Sequence, residues 1–193
     1  MKPLALADIL NLHEYELARP EFRQRVIESK KRRRVALGPL MTLVFENRDT
    51  VQFQIQEMLR VERIARPEKV EDEIRVYNDL LPGPGEVAAT LFIEVTEASR
   101  VQPVLDGFVG LDEPGKLVLK VGGQTFSARF APGQSREDRI SAVHYIRFPL
   151  SASGQSALAS GSDAALEVHH GDYAARAVLS GDTVKELLRD LEE

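Results

Sequence analysis

Three types of polar side chain fall at positions where the hydrophobic pattern predicts an interior-facing residue. On a helix predicted to start near Thr50, the carboxylate of Glu62 falls in the middle of the apolar stripe. On predicted strands, His144 and His170 alternate in phase with apolar residues, and a Gly-Asp turn pairs His170 with Tyr173. An acid, two imidazoles and a phenol that meet in space bind a metal ion or carry out acid–base chemistry. All four are therefore candidate catalytic residues, and His144, His170 and Glu62 are candidate metal ligands.

A structural role is the alternative for each of these residues, and it is the one that we favour. A histidine on an apolar strand face is more often a core residue that hydrogen-bonds the backbone. Glu62 lies near the predicted end of its helix, where a long side chain reaches back to water. The chemical alternative requires His144, His170, Tyr173 and Glu62 to converge, and the sequence does not decide this.

A second set of polar residues surrounds the start of the same helix. Glu46 and Asn47 precede it, and Gln52 and Gln56 form a polar stripe beside its apolar face. A glutamine amide both donates and accepts hydrogen bonds, so the stripe suits a ligand amide, a neighbouring strand edge or solvent. For Glu46 and Asn47 the structural alternative is a hydrogen bond to the loop or to the helix start. All four are candidate residues for ligand or partner binding.

Positive charge is concentrated in residues 19–34. The bases of this segment are Arg19, Arg23, Arg25 and the run Lys30–Arg34, and its only acids are Glu21 and Glu28. Clustered bases bind nucleic acid through counterion release, but no aromatic residues interleave with the run, and the chain has a net charge of −5. The sequence therefore disfavours nucleic-acid binding. It predicts instead that Lys31, Arg32 and Arg33 contact an acidic protein partner.

The composition sets further limits. The chain of 193 residues is predicted to form a single domain, 1–193, and its hydrophobic fraction of 43% is ordinary for a globular protein. It contains no cysteine, which excludes zinc–thiolate sites, cysteine nucleophiles and cysteine-ligated iron–sulfur clusters. No apolar run reaches the ~18 residues of a membrane span, and the first residues meet charge too early for a signal peptide. We therefore expect a cytoplasmic protein without a membrane span.

The motifs of several familiar enzyme classes are absent. The chain has no G-x-x-x-x-G-K-[ST] phosphate loop, no G-x-G-x-x-G after a strand, no G-x-S-x-G elbow and no H-E-x-x-H helix. These absences weigh against the common nucleotide-binding, hydrolase and protease classes.

The hydrophobic period changes from about 3.6 residues to about 2 at the break Pro82–Gly85. Before it, residues 1–82 are predicted to be mainly helical, with Asp49 and Gln52 capping one helix. After it, residues 86–180 are predicted to be mainly antiparallel strands, and residues 181–193 a C-terminal helix. Hairpins are predicted at Gly122-Gly123 and at Gly171-Asp172. The predicted fold class is α+β, a helical region packed on a mostly antiparallel sheet that is curled or sandwich-like.

Four segments of the sequence resemble an uncharacterised bacterial family, a domain of unknown function. They are "LGPLMTLVFENRDTVQFQIQEMLRVE", "EIRVYNDLLP", "SAVHYIRF" and "HGDY", and the resemblance runs across nearly the whole chain. It implies genes beside those of rubrerythrin-like and iron–sulfur oxidoreductase proteins, and hence a redox or oxidative-stress partner. The family pattern has His-Pro-x-Tyr where this chain has His170-Gly171-Asp172-Tyr173, which keeps the His and the Tyr.

The function predicted from these observations is that of an accessory or binding protein, which acts through docking or a small ligand. The helical part, with its basic run and its glutamine stripe, would present the partner surface. The alternative is a small enzyme or metal-binding protein. In it, His144 and His170 would act as ligands or bases, Glu62 as an acid or ligand, and Tyr173 as a proton donor.

Overall fold

The computed structural model describes residues 1–136 and 139–192, and these residues form an α+β fold. The helices are α1 (Leu12–Arg33), α2 (Arg48–Glu62), α3 (Pro67–Asn78), α4 (Val101–Asp106), α5 (Ala152–Ala159) and α6 (Gly181–Glu192). The strands are β1 (Arg34–Leu37), β2 (Met41–Glu46), β3 (Glu86–Ile93), β4 (Leu117–Val121), β5 (Gln124–Ser127), β6 (Arg129–Phe130), β7 (Ser135–Arg136), β8 (Arg139–Ile140), β9 (Val143–Pro149), β10 (Ala164–His170) and β11 (Tyr173–Val178). Within the described ranges, no helix combines the length and apolar composition needed to cross a bilayer.

Two open antiparallel sheets build the fold, as the α+β prediction requires. The first sheet has the order β1-β2-β3-β9-β6, and the second has the order β11-β10-β4-β5. Apolar residues on one face of each sheet pack together in the main core, among them Leu43, Phe45, Leu91, Phe148, Leu119 and Leu166. Both predicted hairpins are confirmed, since β4 pairs with β5 and β10 pairs with β11 in antiparallel register.

The opposite face of the first sheet carries the long helices. A second apolar cluster joins α2 and α3, through Val51, Ile55, Leu59, Val70 and Ile74, and Tyr145 of β9 packs against it. On β9 buried and half-buried residues alternate, because one face of the strand points to the main core and the other points toward these helices.

The first 82 residues also contain strands. The hairpin of β1 and β2 lies between α1 and α2, and β2 pairs with β3 across the Pro82–Gly85 break. All six residues of β2 are buried, so the strand has no apolar–polar alternation to reveal it. The break therefore lies between α3 and β3, and strands from both sides of it belong to the first sheet.

The start of α2 differs from the prediction. Asn47 accepts a hydrogen bond from the Thr50 amide at 3.0 Å, and the Thr50 hydroxyl accepts one from the Asn47 amide at 2.9 Å. The predicted capping pair of Asp49 and Gln52 is thus wrong by two residues, because asparagine caps a helix as well as aspartate does. The C-terminal helix is confirmed through Glu192, and residue 193 lies outside the described residues.

Candidate functional site

His144 is a core residue of the first sheet. Its side chain is fully buried, its Nε2 lies 2.8 Å from the Ser141 carbonyl oxygen, and its ring packs edge-on against Phe130. Burial lowers the pKa of His144 below its ordinary value, although the bond to Ser141 opposes the shift. Since Nε2 faces a carbonyl, it carries the proton, and Nδ1 has no hydrogen-bond partner within the described ranges. The favoured structural role is confirmed.

His170 and Tyr173 lie opposite each other at the end of the second sheet, as predicted. The Tyr173 hydroxyl donates to the Leu37 carbonyl at 2.6 Å and accepts from the Leu40 amide at 3.2 Å. It therefore joins the second sheet to the turn between β1 and β2. Gly38 in that turn has φ of +74°, and a Cβ there would lie 2.5 Å from the Tyr173 oxygen, so only glycine fits.

Glu62 is exposed at the last residue of α2, so the favoured interpretation, a helix end whose side chain reaches water, is confirmed, and the inward-facing alternative is wrong. Its position in the apolar stripe marks the helix end, where the stripe leaves the core. His144 and His170 belong to different sheets. In the part of the chain that the structure describes, no group of three His, Asp or Glu residues is placed to hold a metal ion.

The glutamine stripe binds the protein's own N-terminal segment. Gln56 is fully buried, donates to the Leu10 carbonyl at 3.1 Å and accepts from the Leu10 amide at 2.7 Å. Gln52 donates to the Asp8 carbonyl at 2.5 Å. The backbone of residues 8–10 thus binds amides that the sequence left open to a ligand, a strand edge or solvent.

Only part of the basic run faces solvent. Arg33 is 1% exposed and makes hydrogen bonds to Asp190 and Glu186 of α6. Arg32 also contacts Glu186, at 2.9 Å, whereas Lys31 is exposed beside Glu28. Of the three predicted contact residues, Arg33 thus holds two helices together and is not available to a partner.

A pocket of about 730 Å³ lies between α3 and the helix-facing side of the first sheet. Its size is typical of small-molecule sites. It is lined by Glu46, Glu73, Val76, Tyr77, Asp79, Leu80, Glu86, Ala88, Ala89, Arg129, Phe130, Ala131, Pro132, Gln134, Tyr145, Ile146 and Arg147. Of the candidates drawn from sequence, only Glu46 lines it.

Strand register places four pocket residues in one row. Glu46 is paired with Ala88, Ala88 with Arg147, and Arg147 with Arg129. Directly paired residues project from the same face of a sheet. The row therefore runs from a carboxylate, across a small residue, to two neighbouring guanidinium groups.

Glu46 forms the acidic end of this row and is 3% exposed. Its Oε1 accepts from the Thr90 hydroxyl at 2.6 Å, and its Oε2 accepts from the Thr50 hydroxyl at 2.5 Å and the Gln54 amide at 3.1 Å. All three partners can donate a hydrogen bond to the carboxyl group, and none of them carries a charge. Among the described residues, no ion pair joins Glu46 to a basic side chain.

The two arginines surround Glu86 without hydrogen-bonding to it. The nearest nitrogen–oxygen distances are 3.7 Å for Arg147 and 3.9 Å for Arg129. Arg147 donates to the Asp79 carbonyl at 2.6 Å, which fixes it against the end of α3. Each guanidinium has five N–H donors, so both keep donors for another acceptor.

Tyr77 of α3 and Tyr145 of β9 line the wall of the pocket. Burial raises the pKa of Tyr77, and the nearby Tyr145, Glu73 and Glu62 raise it further. The Tyr77 phenol therefore remains a neutral donor at physiological pH.

The sequence carried a signal for this site that the predictions above do not include. On β9 the residues that alternate with the buried His144 and Ile146 are Tyr145 and Arg147. A tyrosine and an arginine on the second face of a strand indicate a polar face, and the packing of α3 over that face makes it a cavity.

Comparison with known proteins agrees with the family that the sequence resembles. The family model described as "Protein of unknown function (DUF3501)" matches residues 3–191. The chain belongs to this family. The matched range contains nearly all of the fold and every residue that lines the pocket.

A solved structure of a protein of unknown function from Burkholderia pseudomallei K96243 is similar throughout. The TM-score is 0.92 at 29% sequence identity, over 98% of this chain and 100% of that chain. No curated protein matches the chain. The comparisons thus establish a family and a fold, with no activity assigned to either.

Proposed function

We propose that this protein binds a small molecule in the pocket between α3 and the first sheet. The observation that carries the proposal is the row Glu46–Ala88–Arg147–Arg129, which places a buried carboxylate and two guanidinium groups on the floor of a 730 Å³ pocket. Burial of the Glu46 carboxyl group without a charged partner among the described residues is costly, whereas the two guanidinium groups are partly or largely exposed and keep unused N–H donors. A fold that places these groups beside a cavity has polar groups ready for a ligand.

The enzyme alternative has less support. The His144 ring hydrogen-bonds to a backbone carbonyl in the core, the Tyr173 hydroxyl hydrogen-bonds to the backbone of the turn between β1 and β2, and Glu62 is exposed. None of these three lines the pocket. A binding function uses the observed geometry, whereas the predicted His/Glu/Tyr chemistry requires residues that the fold keeps apart.

The experiment is to measure small molecules released from natively purified, untagged protein by mass spectrometry, per mole of chain. Ala88→Phe places a ring on the pocket floor and is expected to abolish the bound compound. Ala36→Phe, on the same face of the first sheet but exposed and outside the pocket, is the matched control and should retain it. Equal release from both variants contradicts the proposal.

A protein partner of the rubrerythrin-like or iron–sulfur oxidoreductase type remains a prediction, as does the cytoplasmic location. Both rest on the sequence and the family resemblance. Lys31→Glu tests the partner in a pull-down, because Lys31 is exposed and its reversal leaves the buried Arg33 in place. Undiminished recovery of the partner would remove Lys31 from the interface.

A further inference from the structure

We infer that the ligand is a small zwitterion, with a protonated amine at Glu46 and a carboxylate at Arg147 and Arg129. This inference rests on the proposed function and names the ligand class for the same pocket.

The cationic end is indicated by the missing charge partner of Glu46. Its three hydrogen bonds, within the described ranges, come from neutral groups, two of them hydroxyls and one an amide. Oε1 has a single partner there, Thr90, and so keeps room for a further donor. A buried carboxylate that lines a pocket is stabilised by a cation entering that pocket, and a protonated amine brings both the charge and the donors.

The anionic end is indicated by the two arginines. Arg129 and Arg147 are register neighbours, and both stand too far from Glu86 for a hydrogen bond. Guanidinium forks match the geometry of a carboxylate, which accepts two parallel N–H bonds from each. The side chain of Arg129 is 72% exposed, so it has little else to hold it in place.

The balance of charge argues for a ligand with both signs. The pocket is lined by four acids, Glu46, Glu73, Asp79 and Glu86, and by two bases, Arg129 and Arg147. The acids would repel a purely anionic ligand, and the arginines would repel a purely cationic one. A zwitterion that lies along the row satisfies both ends, with its amine away from the arginines.

Ala88 determines how the ligand lies. It sits between Glu46 and Arg147 in the register, and strands are spaced about 4.8 Å apart, so the Cα atoms of the two charged residues lie roughly 10 Å apart. The single methyl group of Ala88 leaves the space above it open. A short hydrocarbon chain fits there, which makes an ω-amino carboxylate the simplest member of the class.

The test uses the absence of tryptophan from the chain. Val76 lines the pocket and is 63% exposed, so Val76→Trp adds one fluorophore at the pocket mouth without disturbing the core. The probes are 4-aminobutanoate, 6-aminohexanoate and 8-aminooctanoate, with hexanoate and hexylamine as one-ended controls. Val61→Trp, exposed on α2 and outside the pocket, is the control reporter.

We expect at least one amino carboxylate to change the indole fluorescence of the Val76→Trp protein saturably and to bind roughly tenfold or more tightly than hexanoate and hexylamine. In that background, Glu46→Gln should reduce its affinity to that of hexanoate. Arg129→Gln should reduce it toward that of hexylamine, and this exposed position gives a folded variant even where Glu46→Gln does not fold. Arg176→Gln, on β11, should change nothing.

Two results would overturn the inference, and they differ from failure of the proposed function. Hexanoate binding as tightly as the amino carboxylates would show that Glu46 holds no cation. A compound released in the mass-spectrometric experiment that lacks an amine or an acid would show that the class is wrong. In both cases the pocket remains a binding site. Absence of any released compound, together with no response to any probe, removes the function itself.

Discussion

Arg33 of α1 and Asp190 of α6 are joined by two hydrogen bonds of 2.6 and 2.9 Å, although 157 residues separate them in the chain. Glu186 adds a third contact to the same guanidinium at 2.9 Å. Burial raises the pKa of Asp190, and the hydrogen bonds from Arg33 oppose that shift.

Removing Arg33 should destabilise the fold strongly. Arg33→Met keeps a long apolar stem but leaves the carboxylates of Asp190 and Glu186 buried without their cation, so the free energy of unfolding should fall by about 3–5 kcal/mol. Lys31→Met, two residues away and exposed, should change it by no more than about 0.5 kcal/mol. Urea unfolding of both variants measures the difference. Similar stability in the two variants would mean that the buried pair is not needed for folding.

Gln56 should anchor the N-terminal segment. Gln56→Leu preserves the volume of the side chain but leaves the Leu10 amide and carbonyl without partners, at a cost of about 1–3 kcal/mol. Because the segment before α1 is then released locally, limited proteolysis should cut it faster. Gln24→Leu, whose parent side chain bonds only the exposed Glu28 among the described residues, is the control. An unchanged rate of cleavage in Gln56→Leu would contradict this role.

His144 should make stability depend on pH below its ordinary pKa of 6.5. Its folded pKa is lower than that value, so the unfolded state takes up the proton first as the pH falls. The contribution is therefore present above pH 6.5 and is lost as the pH falls through the folded pKa. Denaturant unfolding from pH ~7 to ~5 should show this loss, and His144→Leu should reduce it.

The control for His144 is His13→Leu, at an exposed position of α1, which should keep the pH dependence of the unmodified protein. Metal analysis accompanies the experiment. Loss of a bound metal in His144→Leu, with little change in stability, would identify His144 as a ligand instead of a core residue.

Glu57 should contribute a second, more acidic pH dependence. Arg19 donates two hydrogen bonds to its carboxylate, at 2.7 and 2.8 Å, and Tyr15 donates a third at 2.7 Å. Arg19 and Tyr15 hold the pKa of Glu57 below its ordinary value of 4.5 against the effect of burial. Its contribution is therefore present above pH 4.5 and is lost as the pH falls through the lower folded pKa.

Glu57→Gln checks this by unfolding at pH ~6 and at pH ~3.5. The variant should be less stable than the unmodified protein at the higher pH, and the two should approach each other at the lower one. Glu28→Gln, on the solvent side of α1, serves as the control. A constant difference between Glu57→Gln and the unmodified protein at both values would show that the carboxylate charge contributes nothing.

Local patterns were sufficient for β9 and for the hairpin of β10 and β11. The alternation in "SAVHYIRF" placed His144 inside, and the Gly-Asp turn set His170 opposite Tyr173, because side-chain direction in a strand follows from a period of two. Periodicity is less informative where burial is uniform or where an element ends: all six residues of β2 are buried, and the apolar stripe of α2 continues to Glu62, past the point where the helix leaves the core.

The sequence by itself determined the α+β class, the two hairpins, the absence of cysteine chemistry and the inward direction of His144. Only the tertiary structure decided which polar groups hydrogen-bond to each other. Arg33 bonds to Asp190, Gln56 bonds to Leu10 at a separation of 46 residues, and Glu46 bonds to Thr90 at a separation of 44. The physical reason is that hydrophobic periodicity is a local property, which fixes the face of an element. A polar side chain is instead defined by its partner, and that partner is known only once the elements have packed.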